Sequence, residues 1–322
     1  MDSDDNEVVI DLSPVIRVYK DGQVERIFRS PHVPPSLEDS DTDVSSTDIT
    51  ISSYLKARIY IPKLSSTTAN TKQKLPILVY YHGGGFCVGS TFSFLSQRYL
   101  NLLSSESNAI ILSIEYNLAP EHPLSTIYED SWTALQWVAS HVLENPRIKK
   151  EPWLIDHGDF NKVFVGGDSA GGNIAHHLAL RAGIACLNGK VKILGGILSF
   201  PYFLSSSQNR RDSSLSKIWM FVNPSAENGI DDPKINPLVE KAPRLTELGC
   251  SKMLVCVAEK DELRNLGIHY AEAVEKNGKL VEVVDVEGEG HCFQILNPEG
   301  DKAKDLIKRI AQFINSEAFN KQ

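Results

Sequence analysis

Apolar positions along this chain fall into two rhythms. From residue 75 onward, short unbroken apolar runs alternate with stretches whose apolar positions recur at helical spacing. The runs at 75–81, 109–114, 163–165, 191–200, 253–258 and 281–286 predict strands, and continuous runs of this kind suit strands buried on both faces of a parallel sheet. Between them, 96–105, 128–142, 174–182, 267–276 and 303–314 predict helices; in 128–142, Trp132, Leu135, Val138 and Ala139 share one face. Such alternation implies an α/β fold with a mostly parallel, doubly wound sheet. Before residue 75 the pattern changes. Residues 15–19 and 24–27 flank Asp21-Gly22 and predict a hairpin. Pro14, Pro31, Pro34 and Pro35 argue against a long regular element nearby. The polar, acidic stretch 36–50 reads as a surface loop, 55–61 alternates like an edge strand, and 65–74 reads as a flexible hairpin tip. These early strands are expected to form an antiparallel edge of the sheet. Residues 201–237 read as irregular, with an apolar cluster from Ile218 to Val222.

The chemistry gathers where one buried strand ends. Val163, Phe164 and Val165 lead into Gly167-Asp168-Ser169-Ala170-Gly171, which fits G-x-S-x-G, and a helix follows. Between a strand and a helix this pattern is a nucleophile elbow. A serine at the tip of so tight a turn has its neighbours crowded, and glycine removes the collision. The helix start behind Ser169 also presents free N–H groups where an oxyanion would form. Acyl transfer by serine further needs a base and a group that orients it. Downstream of the elbow helix only His269 and His291 remain; His291 lies in a loop just past a strand and is the expected base, while His269 falls mid-helix. His176 and His177, inside the elbow helix, read as packing residues. The acid is expected after the 253–258 strand, at Asp261, with Glu259 and Glu262 as solvated or capping charges and Asp285 and Glu287 as weaker rivals. The strand 75–81 runs into His82-Gly83-Gly84-Gly85-Phe86. Its Gly83 and Gly84, with Ala170, are expected to supply the oxyanion N–H donors. Gly85, Phe86, Trp219 and Phe221 are expected to contact substrate. A phosphate-loop reading fails because no Gly-Lys-Ser/Thr follows.

Composition narrows the class. The chain has 322 residues, 42% hydrophobic and 23% charged, which is ordinary for a globular protein. A net charge of -8 without a basic patch argues against nucleic acid and anionic membranes. Five scattered cysteines lack paired metal-ligand spacing and suit a reducing compartment, so no metal or cofactor is expected. The acidic start is unlike a secretory signal or a transit peptide, and no run approaches the roughly 20 apolar residues of a membrane span. A soluble, cytoplasmic protein is expected.

With these residues in place the chain resembles the plant class I carboxylesterases, in the hormone-sensitive-lipase-like branch of the α/β-hydrolases. The resemblance rests on 10–14 with Tyr19-Lys20-Asp21-Gly22, on 82–86, on 116–123, on 167–172, on 261–264 and on 291–293. It implies Ser169, Asp261 and His291 as the triad and Gly83, Gly84 and Ala170 as the oxyanion hole. It implies one domain over 1–322, with a small cap from about 1–45 and 203–237, acting on a small-molecule ester as a monomer or weak homodimer. The family is functionally mixed. Gibberellin receptors resemble it but have lost the histidine that His291 retains here. Some 2-hydroxyisoflavanone dehydratases carry threonine at the nucleophile and alanine at the third loop glycine, where this chain has Ser169 and Gly85. Indole-alkaloid cyclases have a degraded triad. Two classes stay in view: a serine carboxylesterase, and a lyase or cyclase of specialised metabolism on the same scaffold.

Overall fold

A computed structural model describes residues 7–64, 74–145 and 150–316. Most of the expected hairpin tip at 65–74 lies outside the described residues. The strands are β1 (Val8–Leu12), β2 (Ile16–Tyr19), β3 (Val24–Arg26), β4 (Ser45–Thr50), β5 (Lys56–Ile61), β6 (Leu75–Tyr81), β7 (Ile110–Glu115), β8 (Gly158–Asp168), β9 (Ile193–Ser199), β10 (Lys252–Ala258) and β11 (Leu280–Val286). The α-helices are α1 (Phe94–Ser107), α2 (Leu124–Ala139), α3 (Pro152–His157), α4 (Ala170–Ile184), α5 (Ser214–Val222), α6 (Arg264–Lys276), α7 (Phe293–Leu296) and α8 (Asp301–Asn315).

Eight strands form one sheet in the order β11-β10-β9-β8-β6-β7-β5-β4. The pairings from β11 to β7 are parallel, and β5 pairs antiparallel with both β7 and β4. Alternate side chains of β6 serve opposite faces, as the period of a strand demands. Ile77, Val79 and Tyr81 join the core that includes Ile127, Ile174, Leu178 and Tyr270 of α2, α4 and α6. Leu78 and Tyr80 join the core built with Leu100, Leu103, Ile310 and Phe313 of α1 and α8. This two-sided burial is why the central strands read as unbroken apolar runs.

Three expectations from the sequence need correction. The stretch 36–50 is not all loop: β4 occupies its end and displaces β5 from the edge. Its polarity has a structural cause. Arg58 of β5 is 1% exposed, and Asp48 of β4 takes its guanidinium at 2.6 and 2.9 Å while Gln97 accepts from Nη1 at 2.9 Å. The early hairpin does not extend the main sheet either. β1, β2 and β3 form a separate antiparallel sheet. Arg26 pins it down by donating to Cys87 O at 2.9 Å and pairing with Glu121 at 2.6 Å. Finally, 201–237 contains α5. Ser213 caps it by accepting from Ser216 N at 3.2 Å. Its apolar cluster is a buried face of Ile218, Trp219 and Val222, with Lys217 and Met220 outside.

Candidate active site

The elbow is shaped by what stands beside it. Ser169 has φ 52° and ψ −116°, a conformation that L-residues avoid and that a turn this tight imposes. A Cβ on Gly167 or on Gly171 would overlap the carbonyl oxygen of Tyr81 at the end of β6. Both glycines are therefore required by the backbone of the neighbouring strand. Ser169 N donates to Ser199 O and Tyr202 N donates to Ser169 O, each at 2.9 Å, so the turn is held by β9 and the segment after it.

His291 follows β11 and reaches Ser169 Oγ with Nε2 at 2.9 Å. Its Nδ1 lies 2.6 Å from Asp261 Oδ2. With Nδ1–H donating to the carboxylate, Nε2 is left as the acceptor for the serine hydroxyl. Asp261 lies just beyond β10, and its other oxygen accepts from Leu263 N at 3.0 Å. Its side chain is 2% exposed. Three of the four rival carboxylates are committed elsewhere. Glu259 accepts from Gly288 N at 2.7 Å, Glu262 takes the Ser213 hydroxyl at 3.2 Å, and Asp285 pairs with Arg264. His269, on α6, meets the side chain of Gln208 at 2.6 Å instead. His176 is buried against Tyr270 at 2.8 Å, and burial pushes its pKa well below the usual range. His177 donates to Lys234 O at 2.9 Å.

The glycine loop differs from expectation in one donor. Gly83 N–H is already engaged, donating to Asp168 Oδ2 at 3.1 Å. Among the described residues no hydrogen bond engages the N–H groups of Gly84 and Gly85. Both glycines sit at positive φ, 109° and 59°, where the loop turns back on itself. The N–H of Ala170, at the first position of α4, belongs to the set that a helix start leaves without an intrahelical acceptor. The donors available beside Ser169 are thus those of Gly84, Gly85 and Ala170, and Gly83 is removed from the set.

Ser169 and His291 open into a cavity of about 1100 Å³. The helix α5 contributes Leu215 and Ile218 to its wall, the early segment contributes Val15, Val24 and Phe28, and α1 contributes Leu95 and Leu100. Gly85 lies on this wall as expected. Phe86, Trp219 and Phe221 do not, which corrects three expected substrate contacts. Phe86 and Trp219 are wholly buried, with ring centroids 6.4 Å apart, and Trp219 donates from Nε1 to Gly229 O at 2.9 Å. They form the packing behind the cavity wall. Phe221 is half-buried against the same core.

One functional candidate escaped the sequence reading. Asp168, the variable position of G-x-S-x-G, is buried and takes the Tyr80 hydroxyl at 2.6 Å on the oxygen opposite to the one holding Gly83. Burial raises its pKa against the pull of these donors. An acidic residue at the buried end of an apolar strand was the available signal. Among the described residues no group of three His, Cys, Asp or Glu side chains is disposed to hold a metal ion, and no helix is long and apolar enough to cross a membrane.

The family model described as the alpha/beta hydrolase fold matches residues 78–295. The chain is 52% identical over 320 residues to a 2-hydroxyisoflavanone dehydratase of Glycyrrhiza echinata, covering 96% of each. It is 40% identical to probable carboxylesterase 13 of Arabidopsis thaliana, covering 97% of this chain and 99% of that one. An esterase of the hyperthermophilic archaeon Pyrobaculum calidifontis superposes with a TM-score of 0.66 at 27% identity, over 84% of both chains. The parallel sheet, the elbow on β8 and these matches lead to one conclusion, that the chain belongs to the α/β hydrolase family.

Proposed function

We propose that this protein is a serine carboxylesterase acting on small-molecule esters. The observation that carries the reading is the continuous contact Ser169 Oγ–His291 Nε2–Asp261, at 2.9 and 2.6 Å, opening into the large cavity. In this reading His291 takes the Ser169 proton as Oγ attacks the ester carbonyl. The oxygen of the tetrahedral intermediate accepts from the N–H groups of Gly84, Gly85 and Ala170. The intermediate collapses, the alkoxide leaves with the proton carried by His291, and an acyl group remains on Ser169. Water then enters, gives its proton to His291 and releases the acid. Asp261 orients the imidazole and stabilises its charged form. The wall of Leu95, Leu100, Leu215 and Ile218 suits an ester with a sizeable apolar part, and the segments carrying Phe28 and α5 would act as its cap. The test is reaction with a fluorophosphonate probe and turnover of a short-chain p-nitrophenyl ester. Both should occur in the wild type, and Ser169→Ala should lose both by on the order of a thousandfold or more. Unchanged turnover in Ser169→Ala would refute the reading.

A second reading is favoured by the 52% identity to a dehydratase. Here the substrate carbonyl would sit at the same N–H groups, and His291 would remove a proton from the adjacent carbon. The hydroxyl on the next carbon would then depart as water with a proton returned from the imidazolium. Ser169 would position the substrate without forming an ester. A 2-hydroxyisoflavanone, supplied to wild type and to Ser169→Ala, separates the two. Product from both, with ester turnover absent, would support elimination. Ester turnover without isoflavone formation would support hydrolysis.

A further inference from the structure

Three segments around Ser169 converge on one buried carboxylate. Asp168 closes β8 and directly precedes Ser169. Its Oδ1 accepts the hydroxyl of Tyr80, on β6, at 2.6 Å, and its Oδ2 accepts Gly83 N–H, in the loop after β6, at 3.1 Å. The Cys292 thiol, next to His291, also points at Oδ2 at 3.7 Å. Asp168 is 7% exposed. The fit is close, since a Cβ on Gly83 would collide with Oδ2. The elbow, the glycine loop and the base loop therefore share one acceptor.

We infer that Asp168 is a positioning residue for the glycine loop: by holding Gly83 N–H and Tyr80 Oη it turns the N–H groups of Gly84 and Gly85 toward the site of the developing oxyanion. The inference deepens the esterase reading and rests on it for the identity of the reacting atom. Its physical basis is geometric. Oxyanion donors act through orientation set before the reaction, and a donor displaced by an ångström loses most of its effect. A peptide whose N–H is fixed on a buried carboxylate cannot rotate freely, which anchors the start of the loop that carries the next two N–H groups. The same fixation explains why Gly83 is absent from the set of available donors.

The experiment compares Asp168→Asn with Asp168→Leu. The amide of Asn can still accept from Gly83 N–H and can donate to Tyr80 Oη, whereas Leu can do neither. Three quantities are read for each variant: kcat and KM for a p-nitrophenyl ester, the rate of fluorophosphonate labelling of Ser169, and the melting temperature. For Asp168→Leu, kcat and the labelling rate should fall by roughly a hundredfold with KM nearly unchanged, as loss of an oxyanion contact requires. For Asp168→Asn both should stay within about fivefold of wild type. A Leu variant that folds and keeps wild-type kcat would overturn the inference. So would an Asn variant as impaired as the Leu variant, because charge rather than loop orientation would then be at work. If Asp168→Leu does not fold, Tyr80→Phe with Asp168→Asn keeps the question open to measurement. That pair keeps the Gly83 acceptor but loses the Tyr80 bond that holds the residue 168 side chain in place, so a labelling rate reduced about threefold or more beyond Asp168→Asn with unchanged KM supports positioning through both contacts, while an unchanged rate overturns the part assigned to Tyr80. Labelling of the wild type is the separate control: its absence would defeat the esterase reading without bearing on where Asp168 holds the loop.

Discussion

A Cβ added to Gly85 would lie 2.8 Å from Cγ2 of Ile218. Carbon atoms pack without strain at about 3.5–4 Å. Helix α5 is thus seated directly on the glycine loop, and the loop has no room for a side chain there. Gly85 also has φ 59°, which costs an L-residue roughly 1–2 kcal/mol. Gly85→Ala should therefore lower ester kcat/KM by on the order of tenfold or more. Combining it with Ile218→Leu, which removes the Cγ2 methyl at nearly constant volume, should recover part of that loss. Steady-state kinetics of the two single variants and the double variant decide it. Full activity in Gly85→Ala would show that α5 gives way freely.

The choice of acid makes a second prediction. Asp261 holds His291 Nδ1, while Glu259 holds Gly288 N and Asp285 holds Arg264. Asp261→Asn should reduce kcat by about a thousandfold or more, because the amide presents the wrong partner to Nδ1–H. Glu259→Gln and Asp285→Asn should stay within about threefold. A ranking with either of those below Asp261→Asn would show that another carboxylate orients the base.

How far the sequence disclosed this site depends on which atoms carry the requirement. Gly167 and Gly171 were legible because a backbone clash with Tyr81 permits only glycine, and that constraint is written in residue type. The central strands were legible because burial on both faces leaves an unbroken apolar run. The donor set was not legible, because three adjacent glycines are identical in sequence and differ only in which N–H the Asp168 carboxylate occupies. Strand β4 was hidden by Asp48, a polar residue placed to satisfy buried Arg58. Phe86 and Trp219 misled in the opposite direction. An aromatic beside the glycine loop and another in the apolar cluster of 201–237 suggested ligand contacts, yet their rings pack at a tilt of 60° behind the wall and leave Leu215 and Ile218 to face the cavity.

That correction reverses the expectation for Trp219. The indole is wholly buried and bonded to Gly229 O. Trp219→Ala should destabilise the fold by about 3–5 kcal/mol, the usual cost of such a cavity, and leave the ranking of acyl chain lengths unchanged in the surviving enzyme. Leu215→Ala should do the reverse, with a small change in melting temperature and a shift toward longer chains. Denaturation curves and a chain-length series on both variants test the pair. A changed ranking in Trp219→Ala with an unchanged melting temperature would return the indole to the cavity wall.

The last prediction concerns Glu115, at the end of β7. Its carboxylate accepts the Ser90 hydroxyl at 2.9 Å and Thr91 N–H at 2.6 Å, holding the chain that follows the glycine loop. Burial raises its pKa from 4.5 to about 7, a shift opposed by those hydrogen bonds and by Arg58, while Asp48 adds to it. A carboxyl whose pKa is raised on folding binds its proton more tightly in the folded state. Its contribution to stability is complete below about pH 4.5 and is lost as the pH rises through about 7. The amount lost has an upper bound of about 3 kcal/mol. Glu115→Gln, which cannot ionise, removes this dependence. The melting temperature of the variant relative to wild type should therefore climb between about pH 5 and 7.5 and level off above that. Parallel melts of the two proteins across that range measure it. A difference that stays constant with pH would show that Glu115 is ionised throughout, with Ser90 and Thr91 fully compensating its burial.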